Sequence, residues 1–375
     1  MEYSFQEKLY IWLSNVFEMS VISADKLISL NGGIERLHDA ALSGTVKFPD
    51  RVSLEKAERF KLLAPIQHID DLIAGLEAYS VRAITRASKE YPKELKEIYD
   101  PPLVLYARGS GSLADAKLPF AIIGSRHCTD YGERMARLFA QTLACNGMTI
   151  VSGLAYGCDA MAAQGALSAS DNKIPTIAIL GQGVLVEKHD STAKLMEEIL
   201  ARGLVLSEML PSSGASRGSY PMRNRIISGM SRGLLVVEAG ERSGTMITAN
   251  AAMEQGRMLF AIPGRITDRM SMGTNYMIKC GAAQAVYDTA DIMDHYGMQV
   301  KNESVRELGA ELNALADGLN GDTKKVYGLI RKGEKSFDTI CDLSGIAADK
   351  LNLYLTELEF SGLIKQLPGR VYVAE

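Results

Sequence analysis

Phe120-Ala121-Ile122-Ile123-Gly124-Ser125-Arg126 sets four apolar residues directly before a glycine, a hydroxyl and a guanidinium. An apolar run of strand length with no polar alternation is the pattern of a strand covered on both faces. A helical pattern opens near Tyr131, so the tripeptide Gly124-Ser125-Arg126 falls in a strand-to-helix turn, the place where α/β sheets hold their ligands. Similar runs recur downstream between helix-like stretches: Met148 to Gly153, Thr176 to Gly181, Leu204 to Glu208, Leu234 to Ala239, Met258 to Pro263 and Gln284 to Tyr287. Strands alternating with helices predict a doubly wound, mostly parallel, extended Rossmann-like sheet of roughly seven strands. Upstream, the turn Asp100-Pro101-Pro102 leads into Leu103-Val104-Leu105-Tyr106, which is expected to be extended and to enter the same sheet.

Farther out the pattern changes. Leu9, Trp12, Leu13, Val16 and Phe17 recur at helix-face spacing and Asn31-Gly32-Gly33 breaks the run, which predicts a small helical, SAM-like domain over residues 1–69 ahead of a sheet domain over 70–298. Residues 299–321 read as a linker. Residues 322–375 give helices over Lys324–Lys332, Ser336–Ser344 and Asp349–Ser361, then short strands around Ile364-Lys365 and Tyr372-Val373, the order of a winged helix. Its third helix carries Asp349, Glu357 and Glu359 against Lys350, so it is expected to face protein rather than read a duplex.

Composition narrows the class. The 375 residues are 47% hydrophobic and 23% charged, ordinary globular values that favour neither disorder nor a membrane protein. No apolar run reaches the ~18 residues of a spanning helix, and Met1-Glu2-Tyr3-Ser4 lacks the order of a signal peptide. A cytoplasmic protein with no membrane contact is expected. Five scattered cysteines, with no CxxC pair and no clustered histidine, predict reduced thiols and no metal site. A net charge of -4 argues against a surface that grips any duplex through many phosphates, but leaves room for a local basic pocket.

Four loops supply candidate chemistry. Gly124 allows close backbone approach, Ser125 adds a donor and Arg126 a bidentate cation, beside the free N–H groups of a helix start. Ser152-Gly153-Leu154-Ala155-Tyr156-Gly157-Cys158-Asp159 again joins a strand to a helix, with Gly153 free to bring its backbone to the same ligand and Asp159 a candidate N-cap. Between Met209 and Val237 stand Arg217, Arg223, Arg225 and Arg232 with no acidic residue, an electrostatic footprint in an acidic chain. Within it Tyr220-Pro221-Met222-Arg223-Asn224-Arg225 sets an aromatic beside an amide and two arginines, equipment for stacking a base while fixing phosphates. The simpler reading is a cationic helix whose Arg223 and Arg225 pair with acids elsewhere. Finally, Ser243-Gly244-Thr245 opens a helix with two hydroxyls and an open approach. No Ser/His/Asp set, paired carboxylates or metal cluster emerges, which argues for binding rather than catalysis, with no cofactor.

Taken in order, these blocks resemble the DNA-processing protein A family, DprA, also called Smf. The resemblance is carried by Tyr91-Pro92, Asp100-Pro101-Pro102, Ala121-Ile122-Ile123-Gly124-Ser125-Arg126, Val151-Ser152-Gly153-Leu154-Ala155, Tyr220-Pro221, Arg223-Asn224-Arg225-Ile226-Ile227-Ser228-Gly229, Val236-Val237-Glu238-Ala239 and Phe260-Ala261-Ile262-Pro263-Gly264. It implies a homodimeric protein of natural transformation that binds and protects incoming single-stranded DNA and helps load RecA. It implies contacts at Ser125, Arg126, Arg217, Tyr220, Arg223, Asn224 and the Ser243-Gly244-Thr245 loop. The chain departs from the family pattern at Cys158, Ala163, Leu185 and Lys188, which predicts one altered rim of the pocket.

Two other classes use this fold. Enzymes that hydrolyse the N-glycosidic bond of nucleotides carry an acid in the loop resembling Ser243-Gly244-Thr245-Met246-Ile247-Thr248, where this chain has Thr248, so general acid/base help is missing. A dinucleotide oxidoreductase would need GxGxxG at the first turn, which is absent.

Overall fold

A computed structural model describes residues 2–16, 21–49, 54–169, 171–188, 191–299, 318–319, 321–331, 333 and 335–374. The chain divides into two units, Met1–Asn302 and Glu303–Glu375. The linker expected over 299–321 lies almost wholly outside the described residues, as does Phe17.

The first unit begins with helices α1 (Phe5–Val16), α2 (Val21–Leu30), α3 (Ile34–Ser43), α4 (Leu54–Leu63) and α5 (Ile66–Ala78). Helix α1 buries Leu9, Trp12, Leu13 and Val16, the apolar face its spacing predicts. The Trp12 ring meets His38 edge-on at 5.2 Å and Phe60 at 5.7 Å. Helix α5 continues through residue 70, and the helices share one core with a face of the sheet that follows.

That sheet is built from β1 (Arg82–Thr85), β2 (Val104–Arg108), β3 (Phe120–Ile123), β4 (Ile150–Ser152), β5 (Thr176–Ile179), β6 (Leu204–Ser207), β7 (Gly233–Val236), β8 (Met258–Ala261) and β9 (Gln284–Ala285). Among the described residues it has nine strands in the order β1-β2-β6-β5-β4-β3-β7-β8-β9. All seven expected strands are present and parallel, and β1 and β2 extend one edge with antiparallel pairing. Tyr106 of β2 ties this edge to α1, its hydroxyl meeting Ser14 Oγ at 2.8 Å and accepting from Asn15 Nδ2 at 3.0 Å. A short α6 (Lys93–Lys96) precedes β2; the crossovers between the parallel strands are α7 (Asp130–Cys145), α8 (Cys158–Leu167), α9 (Ala193–Arg202), α10 (Ser219–Gly229), α11 (Gly244–Glu254) and α12 (Met272–Lys279), with α13 (Thr289–His295) after β9. Strand order reverses at β3, which lies between β4 and β7. This is the switch point of a doubly wound sheet, where the loops diverge and leave a crevice.

The second unit is a winged helix: α14 (Gly321–Ile330), β10 (Lys335–Ser336), α15 (Phe337–Ser344), α16 (Ala348–Phe360), β11 (Ile364–Leu367) and β12 (Val371–Ala374), with strands in the order β10-β12-β11. Val326, Ile330, Ile340, Leu351, Leu355 and Leu358 form its core. Among the described residues no helix is long and apolar enough to cross a membrane.

Candidate nucleic-acid interface

The loop after β3 carries Gly124, Ser125 and Arg126 over the switch point. The Ser125 N–H donates to Glu238 O at the end of β7 (2.9 Å), and Ser125 Oγ accepts from the His127 N–H (3.0 Å), so the loop is stapled across the crevice. Arg126 is exposed, and its guanidinium carbon stands 5.5 Å from the centre of the Tyr220 ring. Tyr220, in the first turn of α10, is itself 40% exposed and touches the backbone at Gly181 in the loop after β5. The loop after β3 and the start of α10 thus bring a cation and a ring together beside the end of β5.

Helix α7 starts beside this loop, capped by Thr129, whose Oγ1 accepts from the Gly132 N–H at 3.2 Å. The Glu238 carboxylate turns inward to Thr129, accepting from its hydroxyl (2.6 Å) and its N–H (2.8 Å). Burial pushes the Glu238 carboxyl above its ordinary range, with the two Thr129 bonds opposing. Glu238 therefore fastens the floor of the crevice.

The loop after β4 is tighter than expected. Gly157 takes a φ of +73°, and a side chain there would overlap the carbonyl of Ser125. Gly157 is also the N-cap of α8, so Asp159 lies inside the first turn and caps nothing. Instead Asp159 is buried and accepts from the Gly153 N–H at 2.9 Å. Gly153 is closed on its side-chain face by the Arg223 guanidinium and by Asp159, so it serves the packing of the loop rather than an open approach.

Arg223 departs from its expected place. It is 6% exposed, and Nη1 donates to Gly153 O at 2.6 Å and to Ile179 O, joining the ends of β4 and β5 from beneath. Burial lowers its pKa while Asp159 opposes, and burial raises that of Asp159 while Arg223 opposes. The pair is an internal brace. Asn224 accepts from Arg223 Nε at 3.1 Å. Arg225 is also withdrawn, with Nη2 on Glu208 at 2.5 Å and Nε on Asp100 at 3.1 Å. Arg232 pairs with Glu94 at 2.9 Å. Of the expected cluster, Arg232 stays exposed within its pair with Glu94, and Arg217 is exposed in the loop before α10.

The fourth loop opens a helix as expected, but its two hydroxyls do not offer the open approach foreseen for them. Ser243 is the N-cap of α11 but makes no side-chain cap bond, and its Oγ is shielded from solvent without a hydrogen-bond partner. Gly244 is open around its Cα, and Thr245 is buried. A helix start with unspent donors and an unpaired hydroxyl favours an anion. Thr248 is buried as well, and no carboxylate takes its place.

The altered rim is mostly not a rim. Cys158 and Ala163 have no exposure, Cys158 lying under Gly124 so closely that a methyl at 124 would overlap its sulfur. Lys188 donates to Leu154 O at 3.2 Å and Thr192 Oγ1 at 3.0 Å, and Leu185 is half-buried. Sequence reading missed the Thr129–Glu238 clasp. The inward turn of Arg223 was legible, since it precedes Ile226 and Ile227 by three and four residues on the buried face of α10.

Comparison with known proteins places this geometry. Residues 82–297 match the family model described as DNA recombination-mediator protein A, and residues 310–370 match the DprA winged helix domain. Protein Smf of Escherichia coli is 31% identical over 366 residues, covering 96% of this chain and 94% of its own. DNA processing protein DprA of Streptococcus pneumoniae is 40% identical over 215 residues, 57% of this chain and 74% of its own. Its X-ray structure superposes with a TM-score of 0.63 at 32% identity, covering 78% of this chain and 98% of that one. The Helicobacter pylori DNA processing protein A, whose structure concerns its single-stranded DNA binding mode, gives a TM-score of 0.52 at 30% identity over 58% of this chain and 95% of that one.

Proposed function

Because the chain belongs to the DprA/Smf family of DNA-processing proteins, we propose that it binds single-stranded DNA across the carboxyl ends of β3, β5 and β7, as a non-enzymatic DNA-processing protein of natural transformation. The observation that carries this reading is Arg126 over Tyr220: a cation for phosphate and a ring for a base, joined at the switch point. Ser125, Gly124 and the start of α11 with Ser243, Gly244 and Thr245 hold neighbouring phosphates. Arg217 adds an outer charge, while Gly153, Arg223 and Asn224 shape the floor on which Tyr220 stands.

Stacking on a ring is tolerant of sequence, and a duplex hides its bases, so the site selects unpaired strands. Protection of the strand, delivery to RecA and action as a homodimer in the cytoplasm complete the reading, with the winged helix as a protein-docking module. Hydrolysis of a glycosidic bond is not favoured, since Thr248 lacks a carboxylate and Glu238 and Asp159 are both turned inward.

A mobility-shift series at fixed salt with single-stranded DNA, duplex and the Arg126→Ala variant tests the reading. Single strands should bind far better than duplex and the variant should lose affinity. Equal affinity for both forms would overturn it.

A further inference from the structure

The loop after β4 presents one side chain that the pocket has not yet employed. Gly153, Leu154, Cys158 and Asp159 are buried and Ala155 and Gly157 are half-buried, whereas Tyr156 is 47% exposed. The backbone beneath this ring is tightly wound. Leu154 takes a φ of +51° and Gly157 one of +73°. A bulky residue in the left-handed region carries strain, which is held only where the surroundings fix it. Here they do: the Leu154 side chain is fully buried and its carbonyl accepts from Lys188 Nζ at 3.2 Å. The carbonyls of Ala155 and Gly157 each accept at 3.1 Å, from the N–H groups of Ala160 and Met161, and the Cys158 N–H donates to Ser125 O at 3.3 Å. A ring mounted on so constrained a loop gives up little freedom when a ligand covers it.

Sheet order locates the loop within the pocket. Strands β5, β4, β3 and β7 are consecutive neighbours, about 4.8 Å apart. Tyr220 touches Gly181 after β5 and Arg126 follows β3, so their 5.5 Å contact spans the end of β4 that lies between them. Gly157 packs directly against the carbonyls of Ser125 and Arg126. Across the strand ends the order is therefore Tyr220, Tyr156, Arg126 and the start of α11: ring, ring, cation, helix start.

We propose that Tyr156 is a second platform for a base, and that the single strand crosses the strand ends between the β5 side and the β7 side. One base lies on Tyr220, a neighbouring base on Tyr156, and phosphates on the Ser125–Arg126 loop and the start of α11. This contact and this path rest on the single-stranded DNA reading above. Stacking uses the face common to all bases, so the platform is blind to sequence but requires that a base be present.

Trp12, the chain's one tryptophan, is fully buried in the helical domain, so the emission of Tyr156→Trp stands out against it. Titrating the full-length Tyr156→Trp chain with oligothymidylate should quench that emission over the concentrations at which the oligonucleotide binds. Tyr79→Trp, at an exposed ring following α5, should stay unquenched. Tyr156→Ala should bind the oligonucleotide about tenfold more weakly, within the range of one stacked base, and Tyr156→Phe, which keeps the ring, should recover most of that loss. A wholly abasic strand should bind Tyr156→Ala and the unsubstituted chain alike. Undiminished affinity in Tyr156→Ala, with Tyr156→Trp unquenched while oligonucleotide is bound, would overturn the second platform and leave the DNA reading standing. Equal loss on natural and abasic strands would overturn it too, since Tyr156 would then only shape its loop. An unsubstituted chain that binds no single strand would sink the DNA reading itself, and the platform with it.

Discussion

The Arg126 guanidinium carbon lies 5.5 Å from the centre of the Tyr220 ring, although 94 positions separate the two residues in sequence. In the unbound protein the cation therefore covers the ring a base would use. In the proposed reading, a phosphate would draw Arg126 away while a base takes its place on Tyr220. Arg126→Ala and Tyr220→Ala should each weaken single-stranded DNA binding by about 1 to 3 kcal/mol. Because the two share a contact, the double variant should lose less than the sum. Strict additivity in a titration with a labelled oligonucleotide would show that the residues act apart.

Arg223 and Arg217 should separate stability from binding. Removing Arg223 leaves Asp159 buried without its countercharge and strips a donor from Gly153 O and Ile179 O, so Arg223→Ala should cost about 3 to 5 kcal/mol of folding stability. Arg217 is exposed, so Arg217→Ala should leave the urea midpoint unchanged and make the salt dependence of DNA binding shallower by about one unit of slope. A destabilised Arg217 variant, or an Arg223 variant of native stability, would reverse these assignments.

Much of this was legible in sequence, and the part that was not has a physical cause. Seven apolar runs announced seven parallel strands, because a strand buried on both faces needs no alternation. Strand β1 escaped because its Arg82-Ala83-Ile84-Thr85 is short and mixed, and it lies at the edge of the sheet. The Gly124-Ser125-Arg126 loop was placed correctly at a strand end because glycine, hydroxyl and cation follow an apolar run locally. Arg225 was misplaced because its partners, Glu208 and Asp100, flank it from other elements, and an acid-free stretch of sequence need not be acid-free in space. Thr129 and Glu238 join across 109 positions, with no local pattern to report it.

The Glu238 clasp predicts a pH dependence. Burial raises its carboxyl pKa in the folded chain above the unfolded value of about 4.3. The folded state then holds the proton more tightly, so this group's contribution to stability is fully present below the unfolded value and is lost as pH rises through the folded one. Chemical denaturation across that window should show a downward slope that Glu238→Gln removes, since an amide does not titrate. An unchanged slope in the variant would assign the pH response to Asp159 or Glu208, whose carboxyls burial also raises.

The winged helix makes the last prediction, because its wing has already spent one of its cations, Arg370, although Lys365 on β11 stays exposed. The Arg370 guanidinium carbon stacks 3.9 Å from the centre of the Phe337 ring, and Nη2 donates to Asn352 Oδ1 on α16 at 2.7 Å. A wing that gripped duplex would need such a residue free for phosphate. Helix α16 meanwhile exposes Leu353 and Phe360 among Glu357 and Glu359, a face that repels a phosphate backbone. Arg370→Ala should therefore lower the stability of this unit by about 1 kcal/mol, the scale of an exposed cation–π contact with one hydrogen bond. It should leave duplex binding by the chain, and the salt slope of that binding, unchanged from the unsubstituted protein. Loss of duplex binding together with a shallower slope would mean that Arg370 exchanges Asn352 for phosphate, and that α16 does approach DNA.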